Sequence, residues 1–230
     1  MRDTGGRARG LGYNAQTMKP EERTSEVPGG RAEATRSAAA GVFLDRDGTV
    51  CEEVGYVNHL NRCRLLPGSA EAILRLNEAG LPVAVVTNQS GVARGYFREE
   101  LIHAVHDRVR SLLAEKGARV DGIYYCPHHP TTGESPYRAE CDCRKPKPGL
   151  LLRAARELGI DLARSFLVGD SVRDVAAAAA VGVTPILVLT GYGRGEWEHQ
   201  RDRFRTPPAH IAEDLLRAVR WILAQRSLRP

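Results

Sequence analysis

From Gly41 onward, short apolar runs alternate with amphipathic stretches. GVFLD (41–45), LPVAVVTN (81–88), GIYYC (122–126), SFLVGD (165–170) and TPILVL (184–189) are nearly continuous in apolar residues and read as five buried strands. Between them, residues 69–79 form an amphipathic helix stopped by Gly80, 98–116 a long helix closed by Gly117, and Pro148 opens a helix that runs to Leu158, before Gly159. An Ala-rich helix spans 172–181, and a last one, Ala212 to Gln225, carries Leu215, Leu216, Val219, Ile222 and Leu223 on one face. Strands apolar on both faces and separated by helices predict an α/β fold, a doubly wound parallel sheet. Ligands of such sheets lie beyond the carboxyl ends of the strands, which makes Asp45, Thr87, Cys126 and Asp170 the first candidates. Two stretches break the rhythm: 127–147, too long for an ordinary βα loop, and 191–207, polar and Arg-rich, which reads as a loop.

Composition narrows the class. At 230 residues the chain fits one domain plus appendages. Residues 1–40 hold few large apolar residues and show neither helical nor strand period, so they are expected to be a disordered tail ahead of a 41–230 domain; Met18 is an alternative beginning. The formal charge of +5, from 33 Lys+Arg against 28 Asp+Glu, is thin and scattered, which argues against a nucleic-acid partner and favours small anionic ligands. The richest apolar run, Val175 to Leu189, is interrupted by Pro185 and is too short for a membrane helix, and no apolar segment precedes the first strand as a secretory signal would. A monomeric cytoplasmic protein with reduced cysteines is expected.

The strand ends carry the chemistry. In FLDRDGT (43–49), Asp45 and Asp47 stand two apart before Gly48, whose freedom lets the chain turn toward a ligand. One carboxylate could act as nucleophile and the other as general acid, then base. A turn merely capped by aspartates is the bland alternative, which loses ground because polar groups recur at other strand ends. GDSVRD (169–174) sets Asp170 and Asp174 four apart, able to face one cation such as Mg²⁺. TNQSG (87–91) offers hydroxyls, amides and backbone donors to phosphate oxygens, and RKPKP (144–148) presents Arg144 and Lys145. Within 127–147 and its flanks, Cys126, Cys141 and Cys143 with His128 or His129 supply ligands of the kinds that close a tetrahedral Zn²⁺ site. Cys51 and Cys63 read as ordinary small residues; His59, His103, His106, His199 and His210 are expected on polar faces or in loops, and Trp197 and Trp221 in packing.

Taken together, these segments resemble the haloacid dehalogenase (HAD) superfamily of aspartate-nucleophile phosphatases. FLDRDGT, GYV (55–57), VVTNQSGVARGYF (85–97), GIYYCPHHP (122–130), CDCRKPKPG (141–149) and VGD (168–170) are similar, in order and spacing, to the D-glycero-D-manno-heptose 1,7-bisphosphate 7-phosphatases. The resemblance spans about Val42 to Leu189 and implies a sugar bisphosphate substrate in nucleotide-heptose synthesis. It implies Asp45 as nucleophile, Asp47 as acid and base, and Mg²⁺ on Asp45, the Asp47 carbonyl and Asp170. Glu53, Val54, Gly55, Tyr56, Thr87, Asn88, Gln89, Ser90, Arg144 and Lys145 match substrate-contacting stretches. It selects His128 over His129, and with four protein ligands the zinc would be structural, bracing the loop in place of a large cap domain. Ser171 departs from the pattern, since many members carry Lys there; Arg173 is the nearest cation that could compensate. Two rivals are a histidinol-phosphate phosphatase, whose second-strand motif is of the NQDG type, and a non-catalytic zinc-loop binding module.

Overall fold

A computed structural model describes residues 38–227 of the chain. The five apolar runs are strands β1 (Val42–Leu44), β2 (Val83–Asn88), β3 (Gly122–Cys126), β4 (Phe166–Gly169) and β5 (Thr184–Val188). A sixth, β6 (His210–Ala212), pairs beside β5 and is too short and too polar to stand out in the sequence. All pairs are parallel, in the order β3-β2-β1-β4-β5-β6. The fold is the expected HAD-like doubly wound sheet.

Six helices cover it: α1 (Ser69–Glu78), α2 (Glu99–Ala114), α3 (Gly149–Leu158), α4 (Val172–Ala179), α5 (Gly193–His199) and α6 (Leu215–Ser227). The two-residue period of the strands divides the apolar interior in two. Val42, Leu44, Val83 and Val168 point to one face and meet Ile73 and Leu76 of α1, Val105 and Val109 of α2, and Val219 and Ile222 of α6. Phe43, Ala84, Val86 and Leu167 point to the other and meet Leu150, Leu151 and Ala154 of α3 and Ala177 and Ala178 of α4. The segment between β1 and α1, residues 45–68, holds only a 3₁₀ turn, Leu60–Arg62, and the isolated bridges Asp47–Cys51 and Cys51–Leu65, so no cap domain of its own rises from it.

Three expectations change. The 191–207 stretch is not all loop, since it forms α5 and a 3₁₀ turn, Arg201–Arg203. One tertiary and one local contact hold it: Val172 N donates to the Glu196 carboxylate at 2.6 Å, and within the stretch the Arg201 guanidinium lies 4.0 Å over the Trp197 ring. His106 is buried rather than on a polar face, because its place on α2 beside Val105 turns it inward, 5.5 Å from the Tyr125 ring. Burial, helped by the charge of Arg46, pushes its imidazole down to about 3, so it is neutral. His210 lies flat on Trp221, ring centres 4.6 Å apart. Of the expected tail, residues 1–37 lie outside the described residues. Ala39 already exchanges backbone hydrogen bonds with Gly159 and Asp161, and Ala40 is buried.

Candidate active site

At the carboxyl edge of the sheet, the polar residues that follow β1, β2 and β4 converge on one cleft. Asp45, Asp47, Thr87, Asn88, Ser90, Lys145 and Asp170 line it, with Glu53, Gly55 and Tyr56 on the wall built after β1. Lys145 is its electrostatic centre. Its ammonium is buried and divides its three donors among Asp45 Oδ1 at 2.8 Å, Asp174 Oδ1 at 2.5 Å and the Val86 carbonyl at 2.8 Å. The two carboxylates outweigh the burial that opposes the charge, so the lysine is held above its ordinary value.

Asp45 takes both of its donors on one oxygen. Oδ1 accepts from Lys145 and from the Arg46 amide at 2.8 Å, while Oδ2 receives no protein hydrogen bond among the described residues. Burial is the main influence on this carboxyl and pushes it up to about 6 against the pull of Lys145. Asp47 is fixed differently: the buried Arg46 guanidinium grips both of its oxygens at 3.0 and 2.8 Å, and Gln89 Nε2 donates to Oδ2 at 2.8 Å. Gln89 also donates to Thr87 Oγ1 at 2.9 Å, so it orders two cleft residues from behind.

Asp170 completes an acidic floor. Its carboxyl is raised to about 9, first by burial and then by Asp45 and Asp174, which means the site disfavours three uncompensated negative charges. Carboxylate oxygens of Asp45, Asp170 and Asp174 lie within 4.8 Å of one another, a donor set that suits a hard cation. Gly48, at φ +80°, and Gly191, at φ +55°, come so close to the Asp170 carboxylate that a Cβ at either place would overlap it. Asp174 is a weaker candidate ligand than its spacing suggested. Lys145 occupies one of its oxygens, and the Ser171 amide and hydroxyl, at 3.1 and 2.6 Å, occupy the other in a capping box that starts α4.

The long loop after β3 delivers Lys145. Asn88 clasps it in both directions, Nδ2 donating to the Lys145 carbonyl and Oδ1 accepting from the Lys145 amide, each at 3.0 Å. At the base of the loop, Cys126, His128, Cys141 and Cys143 bring three Sγ and one Nδ1 within 4.8 Å of one another. Their neighbouring separations of 3.2 to 3.7 Å are near the ~3.8 Å edge of a tetrahedron with 2.3 Å metal–sulfur bonds. The residues therefore fit a zinc ion. His129 points elsewhere, its Nε2 meeting Arg94 at 2.9 Å. Arg144 donates to the His128 carbonyl at 3.2 Å, which ties the cationic exit of the loop to the cysteine and histidine cluster.

Comparison with known proteins agrees with this geometry. A HAD-hydrolase-like family model matches residues 142–218. The D-glycero-beta-D-manno-heptose-1,7-bisphosphate 7-phosphatase of Photorhabdus laumondii is 47% identical over 151 residues, covering 65% of this chain and 80% of the relative. The corresponding D-glycero-D-manno-heptose-1,7-bisphosphate 7-phosphatase of Thermosynechococcus vestitus is 42% identical over 189 residues, 79% of this chain and 94% of the relative. The crystal structure of D,D-heptose 1,7-bisphosphate phosphatase from B. bronchiseptica, complexed with magnesium and phosphate, superposes with a TM-score of 0.71 at 39% identity, covering 81% and 99% of the two chains. The chain belongs to the heptose-bisphosphate phosphatase family of HAD hydrolases.

Within this phosphatase, most of the substrate-contacting residues expected from the sequence share one cleft, but two do not line it. Val54 packs against the apolar interior, and Gln89 acts through Asp47 and Thr87. Two others need adding or promoting. Tyr192 lines the cleft and its amide donates to Asp170 Oδ2 at 2.8 Å; it stands four residues beyond β5, in the stretch read as a loop, and so lay outside the residues that directly follow a strand. Arg173 lines the cleft from the first turn of α4.

Proposed function

We propose that this phosphatase removes the 7-phosphate of D-glycero-D-manno-heptose 1,7-bisphosphate, in the cytoplasm and as a monomer, in the supply of nucleotide-activated heptose. The observation that carries the chemistry is the Lys145–Asp45 contact: a buried cation fixes one oxygen of a strand-end carboxylate and leaves the other open to the cleft. Asp45 Oδ2 attacks phosphorus, and the bond from phosphorus to the C7 oxygen breaks as a proton passes from Asp47 to that oxygen. Asp47, now a carboxylate, takes a proton from a water that attacks the aspartyl-phosphate, releasing inorganic phosphate and restoring Asp45. Arg46 and Gln89 keep Asp47 beside this path. Asp45, the Asp47 carbonyl and Asp170 would hold Mg²⁺, which when bound neutralises charge on the transferring group. Thr87, Asn88 and Ser90 line the cleft where phosphate oxygens would sit, and Tyr56 and Tyr192 would offer ring surface to the sugar.

Steady-state kinetics test the substrate. kcat/KM is expected to be at least about 100-fold higher for the heptose bisphosphate than for histidinol phosphate, a difference of roughly 2.7 kcal/mol in transition-state binding. A preference for histidinol phosphate overturns the assignment.

We infer that Cys126, His128, Cys141 and Cys143 hold one structural Zn²⁺ per chain. Cys141→Ser is then expected to lose the metal and most activity while far-UV circular dichroism keeps the signature of the sheet, because the loop and not the core depends on the ion. Elemental analysis finding no zinc in protein purified without chelators would remove this assignment.

A further inference from the structure

The charges that line the cleft fall into two sets. Lys145 is committed to the acidic floor, since all three of its donors are taken. Ser171 turns its hydroxyl inward onto Asp174 and brings no charge to the rim. The remaining cations on the cleft wall are Arg144 and Arg173. Arg144 gives one hydrogen bond to a neutral carbonyl, and Arg173 is exposed and pairs with no carboxylate among the described residues. Both guanidiniums line the same cleft, and neither meets a carboxylate among the described residues. Like charges gathered on one wall without a protein counter-ion are preorganised for an anion, and the planar fork of arginine suits phosphate.

That wall cannot be the seat of phosphoryl transfer, which belongs to Asp45. We propose that Arg173, on the wall where Arg144 already stands, holds the second, non-transferred phosphate of the substrate and so determines specificity for bisphosphates over monophosphates; the proposal rests on the sugar-bisphosphate reading given above. Arg173 is well placed for this. It occupies the first turn of α4, three residues beyond Asp170, so the helix that positions the acidic floor also positions the rim. Being exposed and unpaired, it can be replaced without disturbing the interior.

The test uses matched pairs: heptose 1,7-bisphosphate with heptose 7-phosphate, and fructose 1,6-bisphosphate with fructose 6-phosphate. For Arg173→Ala, kcat/KM on the preferred bisphosphate is expected to fall about 10- to 100-fold, the range for losing one hydrogen bond to a charged group, with the matched monophosphate unchanged within about twofold. Arg173→Lys should recover part of the loss, and the melting temperature should not move. A wild type that prefers heptose bisphosphate, with the preference intact in Arg173→Ala, overturns the role of Arg173 and leaves the substrate reading standing. A wild type inactive on the heptose pair but preferring the fructose bisphosphate, with that preference lost in Arg173→Ala, overturns the heptose reading and supports the role of Arg173. An equal fall on both members of a pair, or no bisphosphate preference in the wild type, also overturns it.

Discussion

Asp45→Asn is expected to lower kcat by at least about 10⁴-fold, in line with the loss seen when a nucleophile that acts as part of a unit is removed. The amide keeps the shape of the side chain and an oxygen that can accept from Lys145 and the Arg46 amide, so the geometry of the floor survives. What disappears is the charged oxygen that attacks phosphorus. The fold should not suffer. Burial already holds the Asp45 carboxyl up to about 6, so the carboxylate that predominates at neutral pH costs more in the folded chain than in the unfolded one, and removing that charge relieves the interior. Rapid acid quench with labelled substrate should trap a phosphoenzyme in the wild type and none in the variant. Unchanged hydrolysis by Asp45→Asn would sink the aspartyl-phosphate mechanism.

Lys145→Ala should damage both activity and stability. The substitution strands the buried Asp174 and the partly buried Asp45, which share this single ammonium, and breaking a buried pair from one side costs on the order of 3 to 5 kcal/mol. The charge near the transferring group is lost as well, which should reduce kcat about 100- to 1,000-fold, the usual effect of deleting one preorganised charged donor. Chemical denaturation and kinetics separate the two effects, because kcat measured well below the melting transition reports only the second. A variant within tenfold of wild-type kcat would show that Lys145 is structural alone.

Much of this site could be read before any coordinates. Asp45, Thr87 and Asp170 each stand where an apolar run ends, and a parallel sheet brings such ends to one edge by construction. The metal-ligand types of Cys126, Cys141 and Cys143 survive translation into space because their spacing is local. Pairings across long separations were hidden. Nothing in the chain links Lys145 to Asp174, 29 residues away, or shows that Asp174 faces an ammonium and a capping serine more than a cation. His106 was misplaced because a single histidine on an amphipathic helix does not reveal which way it turns. The strand β6 and the helix α5 escaped notice since neither has an apolar period; both are held by neighbours, one by β5 and the other by the start of α4.

The connection between β1 and α1, which builds no cap domain, has a chemical consequence. With no cap domain over Asp45 among the described residues, the proposed aspartyl-phosphate stays within reach of solvent, beside an Asp47 already oriented by Arg46 and Gln89. An aspartyl-phosphate that is to be handed to a second sugar must be shielded from water until the acceptor arrives. An uncovered cleft gives up that protection and commits the intermediate to the most abundant acceptor in the cell, which biases this scaffold toward irreversible release and away from mutase or transferase behaviour.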